Sequence, residues 1–236
     1  KTECFNTISV ENTMSFLDSI ATRNRLIWLG ECSHGINDLS VLKTELIKYF
    51  HEKHGFNVVV FESSFASCNI INMLNNYMSP FEMLIYSLIG AWRTEAVVQL
   101  MSYIKSEELK IAGMDPNISG SRINKNMYNI IIEDNEISDE LVKLDSIYIF
   151  DYMRPRSAYY NDNTAPINDT LMLHLTKNYL IEGYSQIKKK LIQINKFDLA
   201  RSIDSRILGM TITNFDKSKE FNYFVTSNRR DSLMAE

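Results

Sequence analysis

Two short apolar runs, Leu26-Ile27-Trp28-Leu29 and Val58-Val59-Val60-Phe61, are separated by long stretches of helical periodicity, and this alternation constrains the fold more than any other feature. Strands separated by a helix-length connection pair in parallel, because the crossover returns the chain to the same end of the sheet. The spacing predicts a first strand over 25–29 and a second over 57–61. Unbroken apolar character in the second predicts burial on both faces, as an interior parallel strand requires. A third strand is predicted over 109–113, before Pro116 stops the regular pattern. Helices are predicted between them over 40–54, 66–77, 80–88 and 94–106.

Beyond Asn117 the character changes. The remainder is rich in Asn, Ile and Lys, holds few glycines, and reads as helices over 118–132, 138–150, 169–194, 196–210 and 218–236. The polar stretch 154–168, with two prolines, reads as a loop. The expected fold class is therefore α/β: a parallel or mixed sheet flanked by helices, with an added helical subdomain. Residues 1–117 are the α/β core with the active-site loops. Residues 118–236 are a mainly helical subdomain that returns to the core, in one compact unit.

Composition removes several function classes. Of the 236 residues, 45% are hydrophobic, which is ample for a core and excludes a disordered or low-complexity chain. Twenty-nine acidic against 25 basic side chains give a net charge of −4 with no long basic run, so no nucleic-acid partner is expected. Three cysteines, an odd number without a Cys-x-x-Cys pair, fit a reducing compartment better than a disulfide scaffold. The apolar runs are too short to span a bilayer and no charged-then-apolar leader opens the chain, so the expectation is a cytoplasmic protein with no membrane partner.

Chemistry is concentrated in Gly30-Glu31-Cys32-Ser33-His34-Gly35, directly after the first predicted strand. Ligands of open parallel sheets bind outside the carboxyl ends of the strands. Glycines on either side let the backbone turn and approach a ligand, and a carboxylate near an imidazole orients it and sets its tautomer. The second strand ends in Phe61-Glu62-Ser63-Ser64, so Glu62 leaves the sheet on the same edge. Two carboxylates and one histidine would then share a cleft, an arrangement suited to general acid–base work. The plainer alternative is that Ser33 or Glu31 caps the next helix with His34 on the surface, and that Ser64 is a helix cap preceded by an incidental acid. Lys43, about two turns into the next helix, either returns positive charge to the cleft or lies on a solvated face.

Taken in order, Leu29-Gly30-Glu31-Cys32-Ser33-His34-Gly35, Lys43, Phe61-Glu62, Trp92-Arg93-Thr94-Glu95, Gly113-Met114-Asp115 and Arg230-Asp231-Ser232-Leu233-Met234-Ala235 resemble the erythromycin esterase family in motif and spacing. The resemblance runs from about residue 25 to the last residue, with 117–225 matching only as helical filler. It implies metal-independent hydrolysis of an ester, such as a macrolide lactone, by activated water, with no cofactor. His34 would be the general base, and Glu31 and Glu62 would orient it or the water. Lys43 stands where the family carries a basic residue, often arginine; lysine keeps the charge but loses the planar fork. Trp92, Glu95, Arg230 and Asp231 would position a small-molecule ester substrate.

The family continues past the Arg-Asp motif to a His-Asn-x-His element, whereas this chain stops at Glu236, so the expectation is a truncated portion of a longer enzyme or an incomplete relative. The competing functions are a binding protein that keeps the cleft, and a metal-dependent hydrolase using Glu31, His34 and Glu62 as ligands. His51 and His54 are one residue short of the His-Glu-x-x-His zinc spacing and read as surface residues, and His174 reads as a core or boundary histidine. No Gly-x-Ser-x-Gly elbow is present, and Cys32 beside a carboxylate makes a poor thiolate.

Overall fold

The computed structural model describes residues 10–30, 36–116, 123–155 and 167–212. Among these, helices predominate around one small sheet. The elements are α1 (Val10–Arg23), α2 (Asn37–His54), β1 (Val58–Ser64), α3 (Phe65–Leu74), α4 (Pro80–Ser87), α5 (Glu95–Ser106), β2 (Lys110–Asp115), α6 (Lys125–Ile132), α7 (Asn135–Ile147), α8 (Ile167–Gln193) and α9 (Phe197–Thr211). A π-helical turn, Tyr148–Met153, extends α7.

β1 and β2 pair in parallel, joined by the α3–α5 crossover. The register sets Val58 against Lys110, Val59 against Ile111, Val60 against Ala112 and Phe61 against Gly113, then Ser64 against Asp115. Between the last two pairs β1 advances three residues and β2 two. The additional residue is a β-bulge at Glu62-Ser63 opposite Met114. On the far side of β2, the Asn72 amide of α3 donates to the Ile111 carbonyl (2.6 Å) and accepts from the Ile111 amide (3.1 Å), as a third strand would. One side chain thus closes that stretch of sheet edge.

Two strand expectations need correction. Residues 26–30 form no strand, and Leu26 and Trp28 are 58% and 69% exposed, so the apolar run is neither paired nor buried. Strand structure depends on a neighbour to satisfy its backbone, and composition alone supplies none. β1 is also not buried on both faces. Val59 and Phe61 point into the core, while Val58 and Val60 are 47% and 44% exposed. The strand runs further than expected, so Glu62 lies within it rather than beyond it.

The helical expectations agree to within a turn where they fall on described residues. Local chemistry sets the ends. Ser79 and Glu82 form a capping box with Pro80 in the first turn of α4, and Gly55 ends α2 in the left-handed region at φ 72°. Asp134 accepts from the amides of Glu136 and Ile137 to start α7. α1 falls where no element is predicted from the sequence. It lies beside α2, where Asp18 accepts from the Tyr49 hydroxyl and meets His54 at 2.7 Å. The predicted helix 218–236 and most of the 154–168 loop lie outside the described residues.

The core runs without a break from the sheet into the helical half. Phe61, Ile70, Leu100 and Ile111 continue through Ile131 and Leu141 to Ile187 and Ile203. α9 packs against both α3 and α8, and Asn69 of α3 donates to the Asp198 carbonyl (2.7 Å) and the Ser202 hydroxyl (2.9 Å). At the centre of the helical half, Asp145 of α7 meets Arg206 of α9 at 2.5 Å and accepts from Tyr128 of α6 (2.6 Å) and Tyr184 of α8 (2.7 Å). No described helix is long and apolar enough to cross a membrane.

Candidate active site

Three of the residues singled out in the sequence converge at the end of β1. The indole N–H of Trp92 donates to the Glu62 carbonyl oxygen at 3.2 Å, and its ring packs edge-on against Phe61 with centroids 6.1 Å apart. Lys43 of α2 places its Nζ 5.1 Å from the centre of the same ring. The ammonium is thus attracted by the negative face of the indole. Lys43 is half-buried rather than fully solvated, and Glu62 is exposed on the open side of β1 in line with Val58 and Val60.

Several side chains to which the sequence assigns no role in the chemistry build this arrangement. Ser63 points to the opposite side of β1 from Glu62. Its hydroxyl donates to the Ser87 carbonyl (2.8 Å) and accepts from the Ile89 amide (3.2 Å). That clamps the turn after α4 which leads into Trp92. The Arg93 guanidinium covers the end of α4 by donating to the carbonyls of Ile85 (3.0 Å) and Leu88 (3.1 Å). Thr94 caps α5, so Glu95 occupies its first turn, exposed, where a carboxylate suits the helix N-terminus. The Thr44 hydroxyl bridges to the Ala96 carbonyl at 3.3 Å and ties α2 to α5. Thr94 with its amide partner Val97 carries the usual capping signal; Ser63 and Thr44 carry no sequence signal at all.

Ser64 accepts from the Ser67 amide at 3.3 Å and caps α3, as expected for a serine following the strand. Cys68 is buried, and burial pushes its thiol up to about 12, out of nucleophilic range. His51 bonds the Phe56 carbonyl through Nδ1 (2.9 Å), and among the described residues no group of His, Cys, Asp and Glu is placed to hold a metal. His174 is exposed on α8 rather than in the core or at its boundary, because Leu173 and not its neighbour takes the inward position. Lys188 and Lys190 pair with Asp204 (2.6 Å) and Glu140 (2.8 Å). Glu31, Cys32, His34, Arg230 and Asp231 lie outside the described residues; the first three fall in the short interval between Gly30 and the start of α2.

No family model matches the chain. A 97-residue stretch is 33% identical to YbfO of Bacillus subtilis (strain 168), a protein whose name provisionally assigns it to the hydrolases. The stretch covers 41% of this chain and 22% of that protein. Among solved structures, a mutant erythromycin esterase in an open conformation matches over 95% of this chain and 59% of its own, at 20% identity and a TM-score of 0.49. A Bacillus cereus protein matches over 87% of this chain and 51% of its own, at 16% identity and a TM-score of 0.50. The chain thus spans about half the length of these structures and less than a quarter of the B. subtilis relative, and the last likeness speaks to fold alone.

Proposed function

We propose that the chain is a hydrolase resembling the erythromycin esterases, which cleaves a macrolide lactone or similar ester with histidine-activated water. One observation carries the reading: Lys43, Glu62 and Trp92, distant in sequence, meet at the carboxyl end of a parallel strand. The helix that carries Lys43 starts three residues after His34. Strand ends of this kind are where α/β folds gather their chemistry. The partial identity to YbfO agrees with the same class.

In this reading His34 takes a proton from water as its oxygen attacks the ester carbonyl carbon. Glu31 and Glu62 hold the imidazole and the water in place. Negative charge develops on the carbonyl oxygen, and Lys43, held over the Trp92 ring, is the cation assigned to receive it. Collapse breaks the carbon–oxygen bond, and the imidazolium returns its proton to the leaving alkoxide. Acid and alcohol are the products, so no redox partner is needed. Trp92 and Glu95 line the approach, with Arg230 and Asp231 as positioning groups.

Incubation with a panel of macrolides and aryl esters, with and without a chelator, tests this by the mass gain of one water. Chelator-insensitive turnover that vanishes in His34→Ala is the expected result. Turnover that the chelator abolishes transfers the chemistry to a metal held by the same carboxylates and histidine. Binding without turnover makes this chain a small-molecule binding protein.

A further inference from the structure

A cavity of about 740 Å³ lies where the carboxyl end of β2 meets α9. Gly113, Met114 and Pro116 form its floor and Phe65, at the start of α3, one side. Its opposite wall is a single face of α9, with Arg201, Asp204, Ser205, Leu208 and Thr211 recurring every three or four residues. The Ser205 hydroxyl reaches the Pro116 carbonyl at 3.4 Å and fixes wall to floor. The volume falls within the roughly 300–1,000 Å³ of sites that enclose small organic ligands.

Two properties define the ligand. The first is charge. Arg201, which faces Asp198 across an exposed 3.5 Å contact, and Asp204, held at 2.6 Å by Lys188, put one charge of each sign on the wall, so it has no net charge. A charged ligand gains no net attraction from that wall, whereas an uncharged one would cover Phe65, Met114, Pro116 and Leu208. The second is position. Met114 is the residue opposite the Glu62-Ser63 bulge, so the cavity floor is the strand next to Glu62, about 4.8 Å away in the ladder.

We propose that this cavity seats the body of an uncharged, largely apolar substrate whose ester lies toward Glu62, a proposal that rests on the hydrolase reading above. The cavity chooses the substrate by bulk and lack of charge, and the strand end performs the chemistry.

The test is binding of the neutral fluorophore N-phenyl-1-naphthylamine to the full chain, with Leu208→Trp to fill the cavity. Leu208 is 39% exposed, so a larger side chain has room without disturbing the core. The expected result is at least tenfold weaker probe binding in Leu208→Trp. Phe81→Trp, at an exposed position on α4 away from the cavity, leaves binding unchanged. With p-nitrophenyl esters, Leu208→Trp raises KM for the decanoate tenfold and leaves the acetate and kcat unaffected. Thr211→Trp repeats the test from the last turn of α9 should Leu208→Trp not fold. Equal probe affinity in wild type and filled variants overturns the cavity assignment whether or not esters turn over. Tenfold tighter binding of the anionic 1-anilinonaphthalene-8-sulfonate overturns the charge argument. Weakened probe binding with no ester hydrolysed keeps the cavity and removes the hydrolase reading, so the two failures are distinguishable.

Discussion

Gly113 lies so close under Ser63 that a Cβ at position 113 would stand 2.4 Å from the Ser63 carbonyl oxygen. Contact of that kind cannot be relieved by a rotamer change, because the obstruction is backbone. The bulge that carries Glu62 across the end of the sheet thus depends on a residue in the neighbouring strand having no side chain. Gly113→Ala is expected to destabilise the chain by about 1–3 kcal/mol through forced strand separation. Urea unfolding measures this, and an unchanged midpoint would refute the close approach.

Asp145 and Arg206 form a buried ion pair with Tyr128 and Tyr184 as its remaining partners. Four helices contribute one group each. Removing one charge leaves the other buried and unpaired, at a cost of about 3–5 kcal/mol, so Arg206→Met is expected to unfold the helical half first. Replacing both, Asp145→Leu with Arg206→Met, is expected to recover much of that loss. A double-mutant cycle by thermal denaturation checks the coupling.

Burial holds the phenols of Tyr128 and Tyr184 far above their usual 10.0. The folded state therefore favours the neutral phenols, while the unfolded chain ionises them near pH 10. Their contribution to stability is complete below pH 10 and is lost progressively as pH rises above it. Absorbance at 295 nm should show exposed tyrosines titrating first and these two only together with unfolding. Two further tyrosines titrating in the fully folded chain would contradict the buried network.

Lys43 receives the oxyanion charge in the proposed reaction, from its place over Trp92. Lys43→Met is expected to lower kcat by about 10²-fold with little change in KM, as for loss of an oxyanion donor. Lys43→Arg keeps the charge and the contact with the ring and should restore part of the rate. Trp92→Phe keeps the packing against Phe61 but loses the hydrogen bond to Glu62. Steady-state kinetics on an ester that the wild type hydrolyses separates the three variants.

Asn72 satisfies both backbone groups of Ile111 at once. Asn72→Leu leaves a donor and an acceptor in the partly buried edge without partners, at about 1–3 kcal/mol for each group so orphaned. Asn72→Gln, one methylene longer, is not expected to rescue it. Amide hydrogen exchange at Ile111 should rise specifically in both variants.

Much of the helical architecture was legible in the sequence, because capping groups and turn residues act within a few positions. Ser64, Ser79-Pro80 and Thr94 mark helix starts by chemistry that needs no distant partner. The second and third strands were legible for a similar reason, as short apolar runs flanked by breakers. The strand expected over 25–29 was not, because pairing is a property of two segments and an apolar run states only half of it. Burial of β1 on one face instead of two has the same origin.

For the site, the sequence determined which groups are present: two carboxylates, a histidine, a lysine and an indole in a set order. Their resemblance to one family's motifs is what suggested a common chemistry, the hydrolysis proposed above. Only the tertiary structure decided that Lys43, Trp92 and Glu62 meet, that Ser63 and Arg93 hold them there, and that Gly113 makes room for the bulge beneath them. Local rules act through neighbouring backbone atoms and are written in short strings of residues. Contact between residues 43, 62 and 92 arises from helix packing on a sheet, where the controlling distances run through space rather than along the chain.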